Sequence, residues 1–360
     1  MDPPPRKIDL SGTPREIGLT HGALLATEIR RQISTYDAMF QQTSALDWPA
    51  VRDVAREYRP TIERLTPDIY AEMVGIADGA GLDILDIVAL NCRSEIALGL
   101  FSDGCSSLGW KLHGDGGTVL AQNWDWTKRV KPNLVMMSIK QVDKPTVYMI
   151  TEAGIVGKIG FNSLSVGTLL NAVRARPTIP SKIPIHVALR VCLNSVSAAT
   201  AIAELEALGG VASSQHILIA DRDGPIGLEV SPNGSVHLKP DSNGIVVHTN
   251  HFIENRLVDE RPWLAGSPIR LERMKKLTGE LVSSGEAPKG EVLRQKVFSD
   301  TFNAPQAICC KEDPSRPLPT RSSTLFCIVM NFAKGTKPSA ELVWGMPGSG
   351  NEGGVLSMPW

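Results

Sequence analysis

The stretch FSDGCSSLGWKLHGDGGTVLAQNWDW, Phe101–Trp126, sits a third of the way along a chain of 360 residues, and the character of the sequence changes across it. Upstream the signals are helical. Thr13-Pro14-Arg15-Glu16 offers an N-cap, a proline at the first helical position and a glutamate placed to close a capping box. Ile17, Leu24, Leu25, Ile29 and Ile33 then share one helical face. Further helices are expected near Asp47-Trp48-Pro49, from Thr66-Pro67 to about Gly79–Gly81, and after Asp83. From Gly104 onward strands dominate. Val119–Asn123, Leu134–Val142 and Thr146–Thr151 read as strands, the last two joined by a turn at Asp143-Lys144-Pro145.

Short strands are also expected across Gly154–Asn171. Helices return at Pro184–Asn194 and Ala198–Leu208, the second closed by Gly209-Gly210. Asp221-Arg222-Asp223-Gly224 joins His216–Ala220 to Ile226–Val230 as a hairpin, and Asn243-Gly244 precedes Ile245–Asn250. Ser267–Ser283 and Lys289–Phe298 read as helices, Ser323–Phe332 and Glu341–Trp344 as a last hairpin about Lys334-Gly335. Blocks of helices and strands in this order predict layered α+β packing, not a βαβ repeat. No linker-like stretch divides the chain, so one domain is expected.

Composition narrows the function. Apolar residues make up 42% and charged residues 21%, enough for a sizeable core. A net charge of −1 with no basic stripe argues against nucleic acid. No apolar run reaches the ~18 residues of a membrane helix. MDPPPRK lacks the core of a signal peptide, and its three consecutive prolines leave Asp2–Lys7 as the one stretch with a disordered look. A cytoplasmic protein is the expectation. The six cysteines have no CxxC pair, which argues against a zinc site or disulfide scaffold.

Several motifs admit bland readings. Gly114-Asp115-Gly116-Gly117 lacks the G-K-[ST] of a phosphate loop and reads as a turn. His248-Thr249-Asn250-His251 has no third metal ligand nearby and reads as a pair of structural histidines. No G-x-S-x-G elbow exists. Cys105 differs. It follows the exposed, flexible pair Asp103-Gly104, stands where helices give way to strands, and has Asn123-Trp124-Asp125 returning towards it at the end of the next strand. That makes it the candidate nucleophile.

At this point the chain resembles the acyl-coenzyme A:6-aminopenicillanic acid acyltransferase family, among the N-terminal nucleophile hydrolases. The matching pieces are Gly12–Gly18 with His21-Gly22; Leu90-Asn91 with Arg93 and Glu95; Asp103-Gly104-Cys105; Gln122–Asp125; Thr151–Ile155 with Gly157-Lys158 and Gly160–Asn162; His248–His251; and Arg321 with Thr324–Phe326. The resemblance implies an αββα four-layer sandwich and a precursor that cuts itself at Gly104–Cys105. Residues 1–104 become a helical α chain and 105–360 a β chain, which stay associated. It implies Cys105 as nucleophile, Asp125 holding the new α-amine, the Asn250 side-chain amide as oxyanion donor, and Arg321 orienting Asp125 or a substrate carboxylate. Ser231 and Thr320 match polar positions of the family's pocket, Thr320 standing where the penicillin enzyme has serine. Taken alone, Asp125 reads as a turn cap, Asn250 as a strand-end residue and Arg321 as a surface ion pair.

The chemistry suits the placement. An internal thiol has no built-in base. A freed α-amine, with an ordinary pKa of about 7.7–8.0, takes the thiol proton near neutral pH. The expected activity is transfer of an acyl group, from a thioester (coenzyme A thioesters among them) or an amide, to a small amine. The alternative is hydrolysis of small N-acyl or β-alanyl-type amides. A non-catalytic binding protein on the same scaffold is the remote alternative. Leu169–Ile179 and Phe252–Trp263 diverge most from the family pattern, which argues against penicillin itself as the product, and a secondary-metabolite role rests on analogy alone. Neither metal nor tightly bound cofactor is implied.

Overall fold

A computed structural model of the chain describes residues 3–97, 104–114, 116–260, 266–348, 350 and 354–360. Asp2, Phe101, Asp103, Asp115 and Trp263, which enter the sequence readings above, lie outside the described residues. Two sheets face one another. The larger has eight strands, in spatial order Arg6–Ser11, Leu134–Lys140, Val147–Glu152, Ile159–Asn162, Gly167–Ala172, Gln215–Asp221, Gly224–Ser231 and Gly234–Leu238. The smaller has six, in the order Ile245–His248, Ser106–Lys111, Thr118–Trp126, Ser323–Phe332, Ser339–Trp344 and Val355–Met358. Helices from Pro14–Leu24 to Arg93–Ala97, with Ile185–Asn194 and Ala198–Ala207, cover the larger sheet. Ser267–Ser284 and Gly290–Leu293 cover the smaller one. The result is an αββα sandwich.

Local chemistry sets many boundaries where the sequence puts them. Thr13 and Glu16 form the capping box, the Thr13 N–H donating to Glu16 Oε2 at 2.8 Å. Asp47 caps Trp48–Leu65 through the Ala50 N–H at 3.0 Å, and Asp83 caps Ile84–Asn91 through the Leu85 N–H at 2.8 Å. Thr66 departs from expectation. Its hydroxyl donates back to Ile62 O at 2.9 Å, serving the end of the preceding helix rather than the start of the next.

Three other departures follow. The face from Ile17 to Ile33 belongs to two helices, Pro14–Leu24 and Ala26–Ser44, with the break at Leu25. Arg6–Ser11, whose first residues follow the prolines of the stretch with a disordered look, is an ordered strand. It pairs in parallel with Leu134–Lys140, more than a hundred residues away in sequence. Val355–Met358 adds an unforeseen strand beyond Ser339–Trp344. Arg6–Ser11 has no local partner to announce it.

The helix Pro14–Leu24 lies almost backbone to backbone against Pro67–Ala80. A Cβ on Gly18 would stand 2.0 Å from Glu72 O, on Gly22 2.2 Å from Ile76 O, and on Gly75 2.3 Å from Arg15 O. Paired glycines four residues apart on each helix therefore set the approach. Among the described residues no helix is long and apolar enough to cross a membrane. In an ordinary exposed helix Gly→Ala stabilises by about 1 kcal/mol. Here Gly22→Ala is expected to reverse that sign and destabilise by about 1–3 kcal/mol through overpacking. Urea denaturation of the two proteins checks it, and an alanine variant as stable as its parent would contradict the packing account.

Candidate active site

Three neighbouring strands of the smaller sheet bring the candidate residues together. Ser106–Lys111 lies between Ile245–His248 and Thr118–Trp126, with Ser107 opposite His248 on one side and Ser106 opposite Asn123 on the other. Cys105 therefore enters its strand flanked by the chain leading to Asn250 and by the strand end that carries Asp125. Side chains alternate along a strand, so Trp124 and Asp125 leave on opposite faces.

Cys105 is buried, and its main chain is gripped on both sides. Its N–H donates to Asn250 Oδ1 at 2.8 Å. Its carbonyl accepts from Arg270 Nη1 at 2.7 Å. The same guanidinium donates to Ser106 Oγ at 3.0 Å and, through Nη2, to Asn250 Oδ1 at 2.8 Å. Two donors thus converge on one amide oxygen, which fixes the orientation of the Asn250 side chain. Its nitrogen faces the other way and donates to Ala172 O at 3.0 Å. The Asn250 N–H donates in turn to Ser267 Oγ at 2.8 Å, at the start of the helix that carries Arg270.

Gly104 is explained by space. A Cβ there would stand 2.9 Å from Asp125 Oδ2 and 3.7 Å from Arg270 Nη2. Even a methyl group before Cys105 would crowd the Asp125 carboxylate. Asp125 is fully buried and is held by Thr324, whose hydroxyl donates to Oδ1 at 2.6 Å.

The other candidates lie at strand ends and in connecting segments. The Arg321 guanidinium donates to the carbonyls of Arg316 at 2.8 Å and Pro314 at 2.7 Å, so it braces its own loop. Thr320 Oγ1 donates to Pro317 O at 2.9 Å in that loop. Ser231 Oγ donates to Gly234 O at 2.8 Å and closes the turn between two strands of the larger sheet. His248 Nε2 lies 2.9 Å from Glu229 Oε1, and His251 Nδ1 lies 2.7 Å from Ser267 Oγ. Sequence reasoning missed Arg270 altogether. An arginine inside a helix beginning Ser267-Pro268 has no motif spacing, and only the folded chain reveals that it is buried against Cys105.

Beneath the site lies a buried charged cluster. Glu152 Oε1 accepts from Arg93 Nη2 at 3.1 Å and from Lys158 Nζ, while Oε2 accepts from Gln32 and the Tyr36 hydroxyl. Lys158 Nζ also sits 3.8 Å from the centre of the Trp124 ring. Burial would raise the Glu152 pKa, but Arg93 and Lys158 bring it down to about 2. Burial pushes Lys158 down to about 8, against the pull of Glu152, and the Cys105 thiol is among the groups that act on it. Burial holds the Cys92 and Cys192 thiols up, Cys192 to about 12.

Removing Glu152 strands two buried cations. Glu152→Gln is expected to cost about 3–5 kcal/mol in urea denaturation. A loss under about 1 kcal/mol would contradict the pairing. Acid acts in the same direction. Burial brings neutral His21, whose Nε2 accepts from the Gly154 N–H at 3.0 Å, down to about 3 from 6.5. Both folded pKa values are depressed, so these contributions are complete above pH 6.5 and fall away as pH drops towards 3 for His21 and 2 for Glu152. The melting temperature should decline steadily below pH 6.5. A flat profile down to pH 3 would contradict this.

Comparison with known proteins places the chain in a family. The family model described as acyl-coenzyme A:6-aminopenicillanic acid acyl-transferase matches residues 112–347. The 40 kDa form of acyl-coenzyme A:6-aminopenicillanic-acid-acyltransferase from Emericella nidulans is 35% identical over 356 residues, covering 97% of this chain and 95% of that protein. Among solved structures, a variant of conjugated bile acid hydrolase from Clostridium perfringens covers 71% of this chain and 92% of its own, at 11% identity and a TM-score of 0.46. Penicillin V acylase from Agrobacterium tumefaciens covers 67% and 83%, at 13% identity and a TM-score of 0.37. By the extent of the family match and of the curated relative, the chain belongs to the acyl-coenzyme A:6-aminopenicillanic acid acyltransferase family.

Proposed function

We propose that the chain is a self-processing cysteine enzyme that transfers an acyl group through an acyl-Cys105 intermediate to a small amine. The observation that carries this reading is the setting of the Cys105 nitrogen. That nitrogen is buried, oriented by Asn250 Oδ1, and adjoined by Gly104, whose lack of a side chain admits the Asp125 carboxylate.

In the first step the Cys105 thiol attacks the Gly104 carbonyl and the C–N bond breaks, leaving a thioester and a free amine. Water hydrolyses the thioester to give residues 1–104 ending in a carboxylate and 105–360 beginning with the amine. In turnover that amine takes the thiol proton, and the thiolate attacks the donor carbonyl. The Asn250 amide nitrogen, turned away from Cys105 N and Arg270, has a second N–H for the developing oxyanion. The leaving group departs with the proton; an incoming amine then displaces the thiolate, passing its surplus proton to the α-amine and from there back to the thiol. Asp125 holds the α-amine. Arg321 is assigned to orienting Asp125 or a substrate carboxylate, and Ser231 and Thr320 to the substrate pocket. The donor is a thioester or amide, a coenzyme A thioester being the one suggested by the relative's name.

The two pieces would stay together without a covalent bond. Arg6–Ser11 of the first pairs with Leu134–Lys140 of the second. Buried ion pairs Arg93–Glu152 and Glu72–Arg190 cross the same boundary.

Intact-mass analysis of fresh protein should find two fragments divided at Gly104–Cys105, and Cys105→Ala should leave one full-length chain. Wild-type protein that stays whole while turning substrate over would falsify this reading. With a thioester donor, adding a small amine should change the product from acid to amide. An unchanged product at saturating amine would instead favour hydrolysis.

A further inference from the structure

Arg270 lies outside every motif that carries the family resemblance, yet its guanidinium donates to Cys105 O, Ser106 Oγ and Asn250 Oδ1. We infer that Arg270 is the positioning residue of this site: it fixes which end of the Asn250 amide meets the Cys105 nitrogen and keeps that nitrogen in its uncharged, proton-accepting form once freed. The inference rests on the proposed processing at Gly104–Cys105.

The first half follows from donor counting. An amide side chain can present oxygen or nitrogen to a neighbour, and the two ends are nearly the same size. With only the Cys105 N–H nearby, the preference is one hydrogen bond. Arg270 Nη2 adds a second, charge-assisted donor to the same oxygen at 2.8 Å. Reversing the amide would set its N–H₂ group against both donors. The oxygen therefore stays with Cys105 and the nitrogen stays on the Ala172 side.

The second half follows from charge. Arg270 and the Cys105 nitrogen share one acceptor atom, so a guanidinium stands next to the future α-amine. A like charge at that range disfavours the ammonium form. Burial, with only 4% of Arg270 exposed, leaves little water to screen it. Opposing it is the Asp125 carboxylate beside Gly104. Among the described residues, the other titratable groups facing the site are the Cys105 thiol, Lys158 behind Trp124, and His251 and Cys310 within the field of Arg270. Arg270 also favours the thiolate, so for thiol and amine alike its removal raises the pH needed for activity.

The test compares wild type, Arg270→Gln and Arg270→Lys. Three readouts are needed: the time course of chain cleavage by intact mass, the pH profile of kcat/KM of the cleaved protein, and the melting temperature. Arg270→Gln should slow cleavage at least about tenfold, and the acidic limb of kcat/KM for whatever is cleaved should move up by about one pH unit. Arg270→Lys keeps the charge but loses the forked donor. It should hold the limb near its wild-type position while kcat stays depressed. Should Arg270→Gln fail to fold, the lysine variant decides on the same two terms. Wild-type cleavage with an unmoved limb in Arg270→Gln overturns the inference. So does a lysine variant whose activity falls only in step with its melting temperature. If wild type itself is never cleaved, the processing reading fails, a result plainly distinct from either.

Discussion

One amide oxygen organises the candidate site. Asn250 Oδ1 accepts from the Cys105 N–H and from Arg270, at 2.8 Å each. The first bond ties the strand that Cys105 leads into to the chain that follows Ile245–His248. The second ties it to the helix Ser267–Ser284 beyond the smaller sheet. That helix starts with Ser267, whose hydroxyl accepts from the Asn250 N–H. Asn250 is therefore held through both its main chain and its side chain by a single helix start. In the proposed chemistry Asn250 meets charge as it develops, a task that needs a donor already rigid before the charge arrives.

Behind the site lies a second constraint, the buried carboxylate of Glu152. Its partners come from both sides of residue 104: Gln32, Tyr36 and Arg93 from the N-terminal helices, Lys158 from the turn before Ile159–Asn162. Buried ion pairs contribute less net stability than their contacts suggest, because desolvation opposes them. Leaving any one partner out is costly, so the cluster specifies how the helical layer seats on the larger sheet. It also brings a cation against Trp124, across the sheet from Asp125. Seating of the helices and the electrostatics around Cys105 are thus one problem for this chain.

Much of this was legible in the sequence where its causes are local. Thr13–Glu16 and Asp83 announce their helices because a cap is a contact within three residues. The shift from helices to strands at Gly104 holds, and so does the return of Asp125 towards Cys105, since a hairpin register follows from its turn. The family resemblance, which the comparisons bear out, supplied the αββα arrangement that the pattern of elements alone left as layered α+β. What stayed hidden is non-local. Arg6–Ser11 finds its partner across more than a hundred residues. The glycines of Pro14–Leu24 matter only because Pro67–Ala80 lies on them. Arg270 looks like any solvated helix arginine until the fold buries it against Cys105. Arg321 was singled out by its motif position, and the structure gives it a loop to brace.

The proposed chemistry needs an α-amine made by cleavage at Gly104–Cys105. Sequencing the N-termini of purified, active protein tests this most directly. A new terminus reading Cys-Ser-Ser-Leu, in equal amount to the original one, is the predicted result. Full activity from a preparation with only the original terminus would contradict it.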